Sequence, residues 1–383
     1  MNTKLRTIAI CILVLSLSIS GCRPIRFVSI AAGAMHTCTL TSAGGVLCWG
    51  YNESGQLGDG TTITRTTPVD VSGLTEEVST IAVGDSHTCV LTSSGGVKCW
   101  GSNNDGQLGD GSTINRSTPV DVRGLTNGVK SIVAGALNTC ALTASGGVKC
   151  WGWKNTYAEG GNVTSNKRLI PETINGLTSG VKAIAAGTAH TCILTSAGGV
   201  KCWGSNVDGQ LGDGTYMKRA TPVDVIGLTG GVAAIAANGS QTCALTLSGG
   251  VKCWGINIYG TWGDGISTPT NYTTPLDING LISDISMIDM GGTYMCVLTL
   301  EGGVKCRGDN RQGQLGDGTT TQQSTPIDVE GVESGIIDIA TGDLHTCALT
   351  SDGMIKCWGA NFAGQLGDGT TTQKFTPVNV SSQ

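Results

Sequence analysis

The chain has 383 residues, of which only 13% are charged, and a net charge of −5. An acidic chain without basic runs excludes an electrostatic footprint for nucleic acid or anionic lipid. Sixty glycines without a Gly-X-Y period, nine prolines and a mean hydropathy of +0.09 exclude collagen and disorder and indicate a folded chain rich in turns.

Residues 1–21 read as a lipoprotein signal peptide. Lys4 and Arg6 supply a basic start, and Ile8 to Leu17 supplies an apolar stretch too short to span a bilayer. Ile19-Ser20-Gly21-Cys22 follows and resembles a bacterial lipobox. That resemblance implies cleavage before Cys22, lipid on Cys22, and a short tether over 22–26. It places the chain in the bacterial cell envelope. Arg23 after the lipidated position, where Asp would signal retention, implies the outer membrane if the cell has two. The leader removes two positive charges, which leaves the mature chain near −7.

From residue 27 to the C-terminus the sequence is one unit repeated. HTCTLTSAGGVLCWG begins at His36, HTCVLTSSGGVKCWG at His87, NTCALTASGGVKCWG at Asn138 and HTCILTSAGGVKCWG at His190. QTCALTLSGGVKCWG begins at Gln241, YMCVLTLEGGVKCRG at Tyr294 and HTCALTSDGMIKCWG at His345. Successive first cysteines stand 51, 51, 52, 51, 53 and 51 residues apart. Periods this long belong to solenoids, propellers or arrays.

Each unit predicts four short strands: one like Ile81-Ala82-Val83, then Thr-Cys-x-Leu-Thr, then Val97-Lys98-Cys99-Trp100, then Thr118-Pro119-Val120-Asp121-Val122. Glycine turns such as Ser93–Gly96, and a longer SNxxGQLGDG loop, separate them. Seven such units predict an all-β, seven-bladed propeller with four antiparallel strands per blade over residues 27–383. No TPVDV strand precedes Phe27, and the chain ends on Thr376-Pro377-Val378-Asn379-Val380. The expectation is therefore that the C-terminal strand completes the blade begun at residue 27 and closes the ring.

The H-T-x-A-L-T…G-x-V-x-x-W-G core and the GQLGDGT loop make the units similar to the regulator of chromosome condensation repeat family. The loop is intact at Gly55–Gly60, Gly106–Gly111, Gly209–Gly214, Gly313–Gly318 and Gly364–Gly369, altered at Gly260–Gly265, and lost in repeat 3. The resemblance covers residues 27–380 and implies the propeller fold. It implies no single activity, because relatives range from nucleotide exchange to ultraviolet reception and β-lactamase inhibition.

Fourteen cysteines form seven pairs with nine residues between: Cys38 with Cys48, Cys89 with Cys99, Cys140 with Cys150, Cys192 with Cys202, Cys243 with Cys253, Cys296 with Cys306, and Cys347 with Cys357. Placed opposite each other across a hairpin they lie within disulfide range, and an exported chain meets an oxidising compartment. Buried thiols and metal are the rival readings, and the spacing matches no zinc site. Strand alternation sends each bridge toward one neighbouring blade and the following Trp toward the other.

No catalytic constellation is found, and no cofactor or metal is expected. The four histidines share one repeat position that also accepts Asn138, Gln241 and Tyr294, which marks a structural hydrogen-bonder. The GDG aspartates read as turn stabilisers, since the loop lacks EF-hand alternation.

Strand alternation sorts the loops onto two faces. The SxGG turns and GLTxG connections form a uniform face, which the tether enters. The strand 1–2 loops and GQLGDG loops form a variable face. The candidate partner-binding residues lie there: Trp153, Tyr157, Tyr259, Trp262, Tyr272, Tyr294, Arg307 and Arg311. The expected function is a monomeric, non-enzymatic, envelope-anchored platform for an unknown protein. Glycan or cell-wall binding is the alternative, and an enzyme or a nucleotide-exchange role is disfavoured.

Overall fold

The computed structural model describes residues 26–154, 166–258, 262 and 269–381. Residues 1–25, with the expected leader and Cys22, lie outside them, as do Tyr157 and Tyr259. Blade 1 consists of β1 (Phe27–Ala32), β2 (His36–Thr41), β3 (Val46–Gly50) and β4 (Arg65–Asp70), antiparallel and in sequence order. Six further sheets repeat this plan, so the described residues form a seven-bladed propeller with the expected four strands per blade.

The expected mode of closure is corrected. The last strand (Lys374–Asn379) pairs with Ile355–Gly359 of its own blade, and the blade begun at Phe27 carries its own fourth strand, β4. Both chain ends are compatible with either phase in the sequence. The hairpin across the GQLGDG loop decides it, because that loop joins strands 3 and 4 within one sheet. The ring closes by packing of blade 7 on blade 1 instead: Ile30 N donates to Asp338 Oδ2 at 3.2 Å, and Gly369 N donates to Thr66 O at 2.9 Å.

Burial follows position in the blade. The second strand is covered by neighbouring blades on both faces, and His36 to Leu40 are buried. The outermost strand is half-buried and tolerates proline. Its register steps from Cys48 opposite Val69 to Gly50 opposite Arg65, and Pro68 falls in that irregularity, where no ladder N–H is needed.

All seven predicted cysteine pairs are directly opposed and disulfide-bonded, with Cα atoms 4.1 Å apart. Cys38 bonds Cys48, Cys89 bonds Cys99, Cys140 bonds Cys150, and Cys192 bonds Cys202. Cys243 bonds Cys253, Cys296 bonds Cys306, and Cys347 bonds Cys357. Buried free thiols, the rival reading, are therefore set aside for these fourteen residues.

The core lies between blades rather than within one. Cys38, Leu40, Cys48 and Leu57 of blade 1 pack on Val78, Ile81 and Trp100 of blade 2. Each bridge thus faces the next blade, as alternation requires. Cys202 clusters with Trp254, Cys306 with Trp358, and Cys357 with Trp49, across the seam in each case. Cys253 clusters with Met295, because blade 6 lacks the Trp. Truncating such a Trp to Ala would cost on the order of 3–5 kcal/mol. First strands line an axial cavity of about 380 Å³.

At the N-terminus, Phe27 N donates to Gly353 O and the Arg26 guanidinium to Ser351 O. The chain therefore enters beside the hairpin turn of blade 7, on the turn face.

Candidate functional site

The loop between strands 3 and 4 is a rigid frame built from its own side chains. In blade 1, Asn52 Oδ1 accepts from Leu57 N at 2.9 Å, and its Nδ2 donates to Ile63 O at 3.0 Å. Asp59 accepts from Thr61 N and Oγ1 at 2.9 and 2.7 Å and from Arg65 Nη2 at 2.8 Å. Burial alone would raise the Asp59 pKa, but these bonds from Thr61 and Arg65 hold it below the usual carboxylate value. Asp110, Asp213, Asp317 and Asp368 accept equivalent bonds. The aspartates are committed to the turn, as the sequence indicated.

This frame aims one atom at the next blade. The main-chain carbonyl of Gln56 accepts from Trp100 Nε1 and from Thr88 Oγ1, both at 2.9 Å. Gln107 does the same for Trp151 and Thr139, and Gln210 for Trp254 and Thr242. Gln314 serves Trp358 and Thr346, and Gln365 serves Trp49 and Thr37. Close approach demands glycine: a Cβ on Gly58, at φ 71°, would lie 2.6 Å from Trp100 Nε1.

The histidines complete the latch. His36 Nε2 lies 3.0 Å from Thr88 Oγ1, His87 2.9 Å from Thr139 and His190 2.7 Å from Thr242. Each Thr hydroxyl hydrogen goes to a Gln carbonyl, so the imidazole must donate from Nε2–H and keep Nδ1 bare. Nδ1 is buried without a partner in all four histidines. Burial holds them neutral, with His36 lowered to about 3 and His87, His190 and His345 to about 4. A base so confined cannot reach a substrate, which supports the structural reading.

Three candidate binding residues are corrected by their burial. Tyr294 replaces a histidine and is fully buried, its phenol donating to His345 O at 2.5 Å. Arg307 occupies a Trp position and donates to the main-chain oxygens of Asn279 and Ser324. Trp262 stands where other loops have leucine and is fully buried with Met295 of blade 6, its ring 5.5 Å from Tyr272. Its bulk enters from blade 5 where blade 6 has given up its own Trp. None of the three reaches a partner. Trp153 and Tyr272 are half-buried, and Arg311 is exposed with an ion pair to Asp309 at 2.9 Å.

The loop face instead displays exposed residues that take no part in the locked frame. The position after the loop Asn holds Glu53, Asn104, Val207, Arg311 and Phe362, all exposed. Further along the same loops Ile63, Ile114 and Met217 are also exposed. Sequence reading singled out Arg311 but missed that it shares one position with Glu53, Asn104, Val207 and Phe362.

Also missed is an acidic collar in the axial cavity. Asp85, Asp289 and Asp343 line it, with Asp338 beside them. Burial raises Asp85, Asp289 and Asp338 to about 6, and Asp343 adds like-charge repulsion on Asp85. The GDxH pattern at Gly84–His87 and Gly342–His345 was the available signal. Among the described residues no group of three or more His, Cys, Asp or Glu could hold a metal ion.

Comparison with known proteins places this geometry. The RCC1-like domain model matches residues 13–284, and the regulator of chromosome condensation repeat matches 301–349 and 336–365. The chain is 30% identical to the ultraviolet-B receptor UVR8 of Arabidopsis thaliana, covering 94% of this chain and 82% of the receptor. It is 31% identical to the human E3 ubiquitin-protein ligase HERC2 over 90% of this chain, but that match spans only 7% of the ligase. The solved structure of Prp20p from Saccharomyces cerevisiae, described with its binding to Gsp1p and histones, superimposes with a TM-score of 0.77 at 22% identity, covering 94% of this chain and 87% of Prp20p. Fold and repeat agree, and the chain belongs to the RCC1-like domain family, the propellers built of regulator of chromosome condensation repeats.

Proposed function

We propose that this chain is a non-enzymatic, envelope-anchored platform that binds a protein through its loop face. One observation carries the reading. Five loops share a locked frame, and each presents a different exposed side chain at the same place: Glu53, Asn104, Val207, Arg311 and Phe362. A fixed scaffold with variable display suits recognition of a specific partner surface. Relatives of the family are described by receptor, ligase and histone-binding names, which agrees with a binding role.

Seven disulfides suit an oxidising, exported setting. Lipidation at Cys22 would attach the chain through the turn face, where Phe27 enters, and leave the loop face outward. Leu247, Ile282 and Leu300 are exposed on that turn face at 74, 75 and 71%, which suits a surface held against a membrane. The glycan reading loses ground, because Trp262 is buried and packed with Tyr272 rather than laid open as a sugar platform.

The test is capture from envelope extract by a soluble Cys22→Ala chain. Joint replacement of Trp153, Arg311 and Phe362 by Ala should weaken capture at least about tenfold. Replacement of Leu247 and Leu300 by Ser should leave it unchanged. Capture unaffected by the loop-face changes would reject the reading.

A further inference from the structure

The turn face repeats in shape but not in chemistry. At the first residue of the hairpin turn, blades 2, 3 and 4 expose Ser93, Ala144 and Ser196. Blades 5 and 6 expose Leu247 and Leu300 at that position. The connection between those two blades carries Ile282, where the connections into blades 3 and 4 carry Thr126 and Thr178. Leu247, Ile282 and Leu300 are the three most exposed large apolar side chains among the described residues. At the second residue of the first strand, blades 3 and 4 expose Lys130 and Lys182, and blade 7 exposes Ile337.

These departures are neighbours. Leu247 and Leu300 line one surface hollow of about 330 Å³, and Ile282 lines a second hollow that shares Ser248 with the first. Leu300 N donates to Asp284 O at 2.9 Å, which ties the blade 6 turn to the same connection. One blade on, Ile336 N donates to Gly302 O at 3.0 Å and brings Ile337 beside the Leu300 turn. The sector ends where the chain enters. There Arg26 Nη2 donates to Ser351 O at 2.8 Å, and Met354 is exposed in the same turn. Four exposed carboxylates, Asp284, Glu301, Glu333 and Asp352, stand among the apolar side chains.

We propose that this sector of blades 5 to 7 is a lipid-binding surface, on which the propeller rests against a bilayer of zwitterionic phospholipid. Two observations select that occupant. The four residue steps from Cys22 to Arg26 span at most about 14 Å, so a lipid on Cys22 holds the blade 7 turn, and the apolar patch beside it, at the membrane. The carboxylates match the ammonium groups of zwitterionic lipid and repel anionic lipid. They also oppose a symmetric contact with a second copy, which would set like charges against each other. Because the patch occupies one side of the turn face, blades 5 to 7 meet the lipid and blades 2 to 4 stand away from it. This inference rests on the reading of Cys22 as the lipid anchor and adds the surface that orients the ring.

The test supplies the anchor chemically. The chain from Cys22 onward would be coupled through that thiol, the other cysteines being bridged, to a maleimide lipid in vesicles of phosphatidylethanolamine and phosphatidylcholine brominated in the upper acyl chain. Leu247→Trp and Leu300→Trp each add one exposed indole. Bromine should quench at least about half of the added emission, since apolar side chains of a surface-bound protein reach the boundary between headgroups and acyl chains. Ser93→Trp, at the same turn position in blade 2, should lose less than about a tenth. Phosphatidylglycerol in the vesicles should reduce the quenching, and added salt should restore it. No quenching at Leu300→Trp, or equal quenching at Ser93→Trp, would overturn the proposal. So would a concentration-dependent dimer of the Cys22→Ala chain that Leu300→Ser abolishes, because the patch would then bind a second copy. Loss of capture from extract on replacing Leu247 and Leu300 by Ser would overturn it in favour of a protein. Absence of lipid on Cys22 in cells, read by mass spectrometry, would reject the anchor reading without altering the vesicle result, so the two fail separately.

Discussion

The imidazole Nε2 of His345 lies 2.9 Å from Oγ1 of Thr37, and this contact joins the seventh blade to the first. It repeats the geometry of His36 with Thr88 and His87 with Thr139. Closure is thus the same latch used once more, with no strand exchanged. Thr37→Val would leave His345 Nε2 without its acceptor and remove one donor from Gln365 O. The expected loss is about 2–3 kcal/mol by urea unfolding. Thr191→Val, where no Gln carbonyl among the described residues receives the hydroxyl, should cost less than about 1 kcal/mol. Equal losses would show that the latch does not decide seam strength.

The latch also predicts acid sensitivity. The histidines fall from an ordinary 6.5 to about 3 or 4 in the fold. The unfolded chain therefore binds more protons than the native one between these values, and stability falls as pH drops from about 6.5 toward 4. Each histidine contributes a slope of up to about 1.4 kcal/mol per pH unit in that window. His87→Asn copies the natural Asn138 and should lower stability at pH 7 while flattening its decline toward pH 4, read by thermal unfolding across pH. An unchanged slope would mean that His87 is already charged in the fold.

How far such relationships could be read from sequence depends on the atoms involved. Hairpin pairing was legible because Cys38 and Cys48 are side chains at a fixed spacing, and their opposition follows from strand geometry alone. The same spacing sets Cys192 against Cys202 and Cys347 against Cys357. The inter-blade latch was not legible, because its acceptor is the Gln56 main-chain carbonyl, which leaves no mark on residue identity. The burial of Tyr294 was hidden for another reason: a His position at a strand start looks like a loop edge, yet a phenol can reach the next blade from it. The departures at Trp262 and Arg307 looked like independent surface features. They are opposite halves of one packing exchange across the seam between blades 5 and 6.

That exchange can be tested as a cycle. Trp262 fills its seam from the loop side, where Leu does so elsewhere, and Arg307 takes the position of the displaced Trp. Trp262→Leu alone leaves a cavity and should cost about 2–3 kcal/mol. Arg307→Trp alone overpacks the seam and should cost about 1–3 kcal/mol. The double variant restores the arrangement of Leu57 and Trp100, so it should lie within about 1 kcal/mol of the parent, a coupling of about 2 kcal/mol or more. Additive losses would dismiss the compensation.

The disulfides set a separate scale. Each closes a loop of ten residues' separation, for which the chain-entropy estimate is about 2–3 kcal/mol. Replacing Cys89 and Cys99 by Ser should lower stability by up to that amount and leave the fold intact, because Trp100 and Leu91 still pack in their clusters. Mass spectrometry after alkylation without reductant should find none of the fourteen paired cysteines labelled. Labelling at any pair, for example Cys253 or Cys306 beside the exchanged seam, would return that blade to buried thiols.

The axial collar opposes the histidines in its response to pH. Burial raises Asp85 to about 6, with the nearby Asp343 adding to the shift. A carboxyl raised in the fold holds its proton where the unfolded chain has lost it. It therefore penalises folding above about pH 6 and ceases to do so as pH falls toward 4. Asp85→Asn keeps the size and removes the charge. It should stabilise the chain at pH 8 by on the order of 1 kcal/mol, allowing for screening by water in the cavity, and by much less at pH 5. A gain independent of pH would point to packing instead of charge. A loss at pH 8 would mean that the Asp85 carboxylate has a favourable role in the cavity, contrary to its raised pKa.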